Sequence, residues 1–311
     1  MSTVRKLASY IIWPGLLAMF LLAFAETQRR GLDPGLSLLV LTVLHLALIA
    51  GFEVLMPARR DWDWRKDGQV INDLIHGALL DVGARLGGAG LTIAIAAVAA
   101  QFSTDAPLAL WPAAWPLWAQ LVIAVLIYDF VDYWKHRAYH EWAWAWPIHA
   151  LHHNATKMHV FKAGRLHFLE AAIRAGVTSA PLVILGAPPE VFFWLAALSN
   201  GIGDQNHWNV ETRLPRFLDT LIATPNAHWL HHARNVSNGG ANYSSFTLLF
   251  DHLFGTFRRQ PDDRIEDVGI GFDPIPKNLF GQVLAPFAWP WLSRRARPPA
   301  TQAQTIGGTH A

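Results

Sequence analysis

Long apolar stretches separated by short polar segments dominate the first half of the chain. A transmembrane helix needs roughly 20 apolar residues to cross about 30 Å of hydrocarbon. Four stretches reach that length, and they run approximately from Leu7 to Ala25, Leu36 to Met56, Leu74 to Ala100 and Trp115 to Trp134. The third is rich in glycine, which lets helices pack closely. The pattern therefore predicts four transmembrane helices.

A further apolar region, Ala171 to Leu198, is interrupted by Pro181, Gly186, Pro188 and Pro189. Two short helices joined at these residues would form a re-entrant or interfacial hairpin that enters the bilayer without crossing it. Two buried helices of a soluble cap are the alternative.

The composition agrees with a membrane protein. Of the 311 residues, 52% are hydrophobic and only 15% are charged, and the mean hydropathy is +0.21. Soluble domains carry about 25% charged residues, so an ordinary soluble enzyme is excluded, as is a disordered chain. The sequence shows no basic patch interleaved with aromatic residues, and we expect no nucleic-acid partner.

The basic residues of the loops predict the orientation. The segment from Pro57 to Val70 holds four Lys or Arg residues, whereas Gln101 to Trp115 holds none. Because cytosolic loops carry an excess of Lys and Arg, we expect the N-terminus, the first of these loops and everything after Trp134 to be cytosolic. The Ala- and Arg-rich composition favours a bacterial inner membrane.

Histidine is the residue type on which the candidate chemistry depends. The chain has 15 His and no Cys, which excludes thiolate metal sites, iron–sulfur clusters held by this chain and cysteine nucleophiles. Three clusters and one single residue stand out: an HxxxH at His136 and His140, an HxxHH at His149, His152 and His153, an HxxHH at His228, His231 and His232, and His207.

The spacing within these clusters indicates metal binding. Residues i, i+3 and i+4 of a helix share a face, so each cluster presents two or three imidazoles to one point. An HxxHH is expected by chance about 0.03 times at this histidine content, yet the chain contains two. So many imidazoles suit two metal ions with open coordination positions.

Several metals accept such ligands. Imidazole nitrogen suits Fe, Zn, Cu or Ni. A zinc hydrolase would combine its ligands with a carboxylate base, as in HExxH, and the sequence has no HExxH. Two redox metals held by histidines beside a bilayer point instead to oxygen activation.

At these residues the chain resembles the fatty acid hydroxylase and sterol desaturase superfamily of integral membrane di-iron oxygenases. The similarity runs from about Tyr128 to Phe257 and includes the order of the four histidine elements. It extends to the sequence around them, in the segments Asp129–His140, His149–Asn154, Arg165–Glu170, Thr224–His232 and Asn242–Phe257. Three positions depart from the family pattern, Phe168 for Pro, Ser244 for Gly and Phe250 for Trp, and none is a histidine.

The resemblance implies a fold, a site and a reaction. The fold is an all-α integral membrane bundle of about four transmembrane helices and the hairpin, with a cytosolic histidine-rich cap. The reaction is O₂-dependent hydroxylation, or desaturation, of an unactivated C–H bond in an acyl chain or sterol-like lipid. The cofactor is a pair of Fe ions, and zinc is able to occupy the same site in a purified protein. The implied ligands are His136, His140, His149, His152, His153, His207, His228, His231 and His232.

Polar residues near the histidines are candidates for supporting roles. Asp132 lies four residues before His136 on the same helix face, and we expect it to accept a hydrogen bond from a metal-bound imidazole. We also predict a catalytic role for His167. His159 and His167 are further candidates, either as metal ligands or as hydrogen-bond partners of the ligands. Glu170, Asn226 and Asp251 are candidates for the partner role alone. Four arginines near the boxes are expected to face phospholipid headgroups, with a substrate-headgroup or electron-donor contact as the alternative: Arg137, Arg165, Arg174 and Arg234.

The chain itself supplies no electrons, since the sequence has no GxGxxG loop, no Cys and no cytochrome b5-like segment. An external ferredoxin, cytochrome or reductase is therefore implied.

We divide the chain into an N-terminal transmembrane region (1–115), a catalytic domain (116–260) and a C-terminal cytosolic tail (261–311), of which Thr301–Ala311 is expected to be disordered. A membrane metal or haem transporter and a zinc-dependent membrane hydrolase are the alternative functions.

Overall fold

A computed structural model describes residues 3–102, 110–235, 240–259 and 267–296. The longer helices are α1 (Thr3–Arg29), α2 (Pro34–Leu55), α3 (Val70–Phe102), α4 (Leu117–Glu141), α8 (Pro189–Asn206) and α12 (Leu279–Ala296). The shorter ones are α5 (Trp146–His153), α6 (Phe168–Ile173), α7 (Ala180–Leu185), α9 (Leu218–Leu221), α10 (Pro225–His231) and α11 (Leu249–Leu253). A π-helical turn, Arg174–Thr178, joins α6 to α7. Within the described residues, extended pairing is limited to three isolated bridges, so the all-α prediction is confirmed.

The four predicted membrane helices appear as α1 to α4. All four are long and apolar enough to cross a bilayer. Helix α2 begins where Asp33 accepts a hydrogen bond from Leu36 N at 2.7 Å and Pro34 occupies the first turn. It packs with α1 and α8 through a cluster of Phe20, Phe24, Leu38 and Ala197. Because the opposite faces of these helices remain apolar and exposed, the bundle is suited to a lipid environment.

Helices α3 and α6 approach each other closely through glycine. A Cβ placed on Gly83 would lie 2.1 Å from the carbonyl oxygen of Phe168, and one on Gly87 would lie 2.0 Å from that of Ala172. Any side chain at these positions would collide with the α6 backbone. The glycine-rich third apolar stretch thus provides a close helix contact.

The interrupted apolar region forms a helical hairpin, and the hairpin is longer than the sequence suggests. Its first arm, Phe168–Leu185, is a fifth helix long and apolar enough to cross a membrane. The arm ends at Gly186, whose φ of 85° is accessible to glycine. Leu185 O accepts a hydrogen bond from Trp111 N at 2.8 Å, in the α3–α4 connection. The turn therefore lies at the end of the bundle where α4 begins, opposite the C-terminal end of that helix.

The segments that follow the membrane helices assemble into a cap. Its apolar centre contains three buried tryptophans, Trp62, Trp208 and Trp229. Helix α12 packs on α5, where Ala285 and Leu292 join a cluster with Ala150 and Leu151. Residues 267–296 of the predicted C-terminal tail thus lie against the cap. Residues 297–311, which include the segment Thr301–Ala311 expected to be disordered, lie outside the described residues.

Candidate metal centre

The histidine clusters occupy four helix ends that meet in the cap. His136 and His140 lie in the last turns of α4, and α5 with its three histidines begins five residues later. His207 is the C-cap of α8. Helix α10 begins at Pro225, with Thr224 as its N-cap, and carries the last cluster. Short helices and proline starts thus fix where each imidazole points.

The structure brings all nine predicted ligands together and divides them into two groups. In each group, one candidate ligand atom per residue lies within 4.8 Å of all the others. The five-histidine group is His136, His140, His149, His153 and His231. The four-histidine group is His152, His207, His228 and His232.

Each HxxHH cluster contributes to both groups. On α5, His149 and His153 belong to the five-histidine group, while His152 between them belongs to the other. The α10 cluster does the reverse, because His231 joins the five-histidine group and its two neighbours join the four-histidine group. The rings of His153 and His232 stack between the groups, with centroids 4.3 Å apart. The two groups are therefore one adjoining unit.

Hydrogen bonds from the outer ring nitrogens orient four of the imidazoles. Nδ1 of His136 donates to Tyr243 O at 2.7 Å, that of His231 to Ala241 O at 2.7 Å, and that of His207 to Gly203 O at 2.8 Å. His149 Nδ1 lies 2.9 Å from a carboxylate oxygen of Glu170. A carbonyl only accepts, so the Nδ1 atoms carry the protons and the Nε2 atoms present lone pairs inward.

Facing lone pairs need a cation between them. His136 Nε2 and His149 Nε2 lie 3.1 Å apart. In both rings the proton is on Nδ1, which faces an acceptor, so neither Nε2 can donate a hydrogen bond to the other. The same spacing recurs from His149 to His153 at 3.1 Å and from His207 to His228 at 2.9 Å. Two nitrogens bound to one metal at about 2.1 Å and at right angles would lie about 3.0 Å apart. The donor sets fit a transition metal in each group.

Burial favours the neutral form of several of these imidazoles, the form that binds a metal. Desolvation lowers the pKa of His207 to about 4 and that of His231 to about 3. It also lowers the pKa of His152, His153 and His232 well below the usual value. Among the described residues, the buried Nε2 atoms of His140 and His231 have no hydrogen-bond partner. Both are free to bind a metal.

Two aspartates hold the loop that supports His136. Asp129 on α4 accepts hydrogen bonds from the backbone N–H groups of Ser245, Phe246 and Thr247 at 2.8–3.0 Å. Asp251 accepts from the N–H of Tyr243 at 2.8 Å. This loop carries the Tyr243 carbonyl that accepts from His136 Nδ1. Helix α4 therefore positions both partners, His136 directly and the carbonyl through Asp129.

Asp132 and His167 occupy other positions than those predicted. Asp132 forms an ion pair with Lys135 and accepts a hydrogen bond from Ser245 Oγ, so it does not contact His136. His167 lies outside both histidine groups, with Nε2 bonded to Val283 O at 2.9 Å and Nδ1 accepting from Leu169 N. Helical spacing placed Asp132 on the correct face, but a lysine one turn away competes for it. His167 instead joins α6 to α12.

Among the other candidates, only Glu170 reaches a predicted ligand. His159 pairs with Asp67 at 2.7 Å in a buried cluster. Two cations complete that cluster, since Lys162 contacts Asp67 and Asp73, and Arg165 contacts Asp73. The cations neutralise the carboxylates, so this cluster is an ion-pair network rather than a metal site.

Sequence reasoning missed the supports that come from the backbone and from aromatic rings. The carbonyls of Ala241 and Gly203 leave no trace in residue type. Tyr139 stacks on His149 with centroids 5.4 Å apart, and Trp146 lies 5.4 Å from His140. Tyr139 directly precedes His140 on α4, and this position beside a predicted ligand was the sequence feature that could have identified it.

Comparison with known proteins supplies relatives for this arrangement. The fatty acid hydroxylase family model matches residues 121–256. The ornithine lipid hydroxylase of Rhizobium tropici is 33% identical over 293 residues, which is 92% of this chain and 86% of that protein. The alkylglycerol monooxygenase of Danio rerio is 29% identical over 49% of this chain and 32% of its own length. A very-long-chain aldehyde decarbonylase of Oryza sativa subsp. japonica is 28% identical over 53% of this chain and 29% of its own length. No solved structure matches the chain.

Proposed function

The chain belongs to the fatty acid hydroxylase and sterol desaturase superfamily, and on that premise we propose that it is a membrane di-iron enzyme that uses O₂ to hydroxylate an unactivated C–H bond of a lipid. The relatives carry the names of lipid-oxidising enzymes, which supports an oxidoreductase acting on lipids. The roles of iron and O₂ belong to the proposal.

One observation carries the proposal. Five and four imidazoles form two adjoining groups, with inward lone pairs about 3 Å apart. All-nitrogen ligation suits iron. Bound iron would supply the activation of O₂ that breaking an unactivated C–H bond requires.

The chain's own side chains would hold and orient the centre. The Nδ1 bonds of His136, His207 and His231 fix three rings against backbone carbonyls. Glu170 fixes His149 and adds negative charge beside the five-histidine group. Trp146 lies near both His140 and His153 and supplies an apolar surface on that side.

The substrate to test first is an ornithine lipid. The relative with that activity covers 92% of this chain, whereas the alkylglycerol monooxygenase covers about half. Electrons would come from an external ferredoxin, cytochrome or reductase. We place the enzyme in a bacterial inner membrane with its histidines on the cytosolic side, in line with the basic segment from Pro57 to Val70.

Metal analysis and isotope labelling test the proposal together. The full chain is purified in detergent after iron-replete expression and supplied with ornithine lipid, ferredoxin and ferredoxin reductase under ¹⁸O₂. We expect about two irons per chain and one ¹⁸O atom in the product. His152→Ala and His231→Ala each remove a ligand from one group and should abolish labelling. His252→Ala is the control, because His252 lies outside both groups and bonds to Thr220 O.

Two results would overturn this function. An iron-loaded protein that incorporates no ¹⁸O with any lipid class would exclude the oxygenase. A protein that binds only zinc, and hydrolyses a lipid without O₂, would favour the hydrolase.

A further inference from the structure

Arg174 is a charged residue inside an apolar helix that is long enough to span a membrane. It lies six residues after Phe168, the start of that segment, which corresponds to about 9 Å along the helix axis. It is also the first residue of the π-helical turn Arg174–Thr178. Ionisable residues in such segments usually have a partner inside the protein or a role in function, and π-turns are frequent at functional sites.

The direction of Arg174 follows from its helix. Ala172 faces α3, because its carbonyl lies against Gly87. The backbone N–H of Arg174 donates to Glu170 O, so Arg174 and Glu170 are one helical turn apart. Glu170 lies one turn earlier on the same face as Arg174 and contacts His149. Arg174 therefore lies on the face that α6 turns toward the metal centre.

The guanidinium of Arg174 has no direct partner among the described residues. No hydrogen bond or ion pair joins it to them, although its charge interacts with Tyr128, Asp132, Glu170 and Tyr139. Those carboxylates are already engaged, since Asp132 pairs with Lys135 and Glu170 with His149. The side chain is also only partly buried. A cation in this state is open to an incoming anion.

A second polar group near this charge is unsatisfied. Tyr139 is 3% exposed, and its hydroxyl has no hydrogen-bond partner among the described residues. A buried donor without a partner costs about 1–3 kcal/mol, which a ligand oxygen would offset. Tyr139 stacks on His149, so its ring forms part of the wall of the five-histidine group.

We propose that Arg174, assisted by the Tyr139 hydroxyl, binds the anionic group of the lipid substrate, a carboxylate or a phosphate. This inference rests on the proposed function, because it names the substrate class of the same site. The guanidinium matches both anions, since it can donate two parallel hydrogen bonds to either. The substrate would then be a lipid with an anionic headgroup rather than a sterol or a neutral glycerol ether.

A binding experiment with three matched amphiphiles tests the proposal without turnover. N-palmitoylglycine carries a carboxylate, hexadecyl phosphate carries a phosphate, and N-palmitoylglycinamide is the neutral counterpart. Native mass spectrometry of the full, metal-loaded chain measures their competition. The wild type should prefer at least one anionic amphiphile over the amide by about tenfold or more. The better of the two identifies the headgroup chemistry.

Variants then assign the preference to Arg174. Arg174→Gln should bind all three amphiphiles alike, and Arg174→Lys should keep part of the preference. Arg85→Gln is the matched control, because Arg85 is exposed on α3 and pairs with Asp81 at 2.7 Å. It should bind as the wild type does. Iron content and thermal unfolding of each variant show whether the fold is intact.

Three results would overturn the inference. The first is a wild type that binds the anionic amphiphiles no better than the amide. The second is an Arg174→Gln variant that keeps the preference. The third is an Arg174→Gln variant that loses both its iron and its binding of the amide. The last result would assign Arg174 to local charge balance. The outcome is separable from that of the proposed function: an anion preference without ¹⁸O incorporation removes only the oxygenase, and ¹⁸O incorporation without a preference removes only the anion site.

Discussion

A metal-bound imidazole usually donates its other N–H to a fixed acceptor, and Glu170 is the acceptor for His149. The carboxylate lies 2.9 Å from Nδ1 and is itself buried. Such partners typically contribute 10- to 100-fold to metal affinity. Asp132, which the sequence favoured, has no histidine contact. The partner of a ligand is thus decided by tertiary packing, even where helical spacing is correct.

The first prediction concerns Glu170. Glu170→Ala should reduce iron affinity of the five-histidine group by about 10- to 100-fold, because His149 loses its anchor. Glu170→Gln keeps an acceptor and should lose less. Iron per chain, measured after dialysis against a chelator, checks the order. Glu190→Gln, on an exposed acidic residue at the start of α8, is the control. Equal iron retention in Glu170→Ala and wild type would refute the anchoring role.

The second prediction concerns Asp129. Asp129→Ala leaves the N–H groups of Ser245, Phe246 and Thr247 without their acceptor. Each unsatisfied buried group costs about 1–3 kcal/mol, so the variant should unfold at a clearly lower temperature. Asp61→Ala removes an exposed ion pair with Arg59 and should change stability by less than about 1 kcal/mol. A small, equal shift in both variants would contradict the account.

At the scale of whole helices, the contact between α3 and α6 determines where Glu170 lies. Gly83 and Gly87 allow the α6 carbonyls to approach the α3 backbone closely. Moving α6 outward would also move Glu170, which lies on α6, and Arg174, which directly follows it. We therefore expect the packing of α3 on α6 to affect the five-histidine group through Glu170.

The third prediction uses this contact. Gly87→Ala should lower both the unfolding temperature and the iron content, because its Cβ would lie 2.0 Å from the Ala172 carbonyl oxygen. Gly90→Ala on the same helix meets no atom within 4 Å. It should be neutral or slightly stabilising, since alanine is the better helix former by about 1 kcal/mol. Thermal unfolding and metal analysis of the pair provide the check, and indistinguishable variants would refute the role of close packing.

The sequence predicted those elements that depend on length and local spacing. The spans of α1 to α4 follow from apolar length, and the turn of the hairpin follows from Gly186. The division of the histidines did not follow, because spacing places His149, His152 and His153 on one face without saying which neighbouring helix each will meet. The packing of α12 on α5 was also missed, since its Ala285 and Leu292 resemble any apolar segment.

At the scale of the whole molecule, the aromatic residues mark two levels of the bundle. Trp115 and Trp118 are exposed near the start of α4, and Trp134 and Trp142 are exposed near its end. From Trp118 to Trp134 the helix rises about 24 Å, close to the thickness of a bilayer core. Tryptophan concentrates at both membrane interfaces. We therefore expect the histidine groups at the level of one interface and the α6–α8 hairpin turn at the level of the other.

The last prediction tests this arrangement and the proposed orientation together. The chain has no Cys, so single introduced cysteines report without background. Ala114→Cys lies in the α3–α4 connection, Glu190→Cys beside the hairpin turn and Thr156→Cys after the α5 histidines, and all three positions are exposed. In spheroplasts, a membrane-impermeant maleimide should label the first two, and Thr156→Cys only after lysis. Because Leu185 bonds to Trp111, Glu190→Cys should follow Ala114→Cys. Labelling of Glu190→Cys together with Thr156→Cys would mean that the hairpin does not cross. Labelling of Thr156→Cys alone from outside would place the metal centre on the opposite face of the membrane.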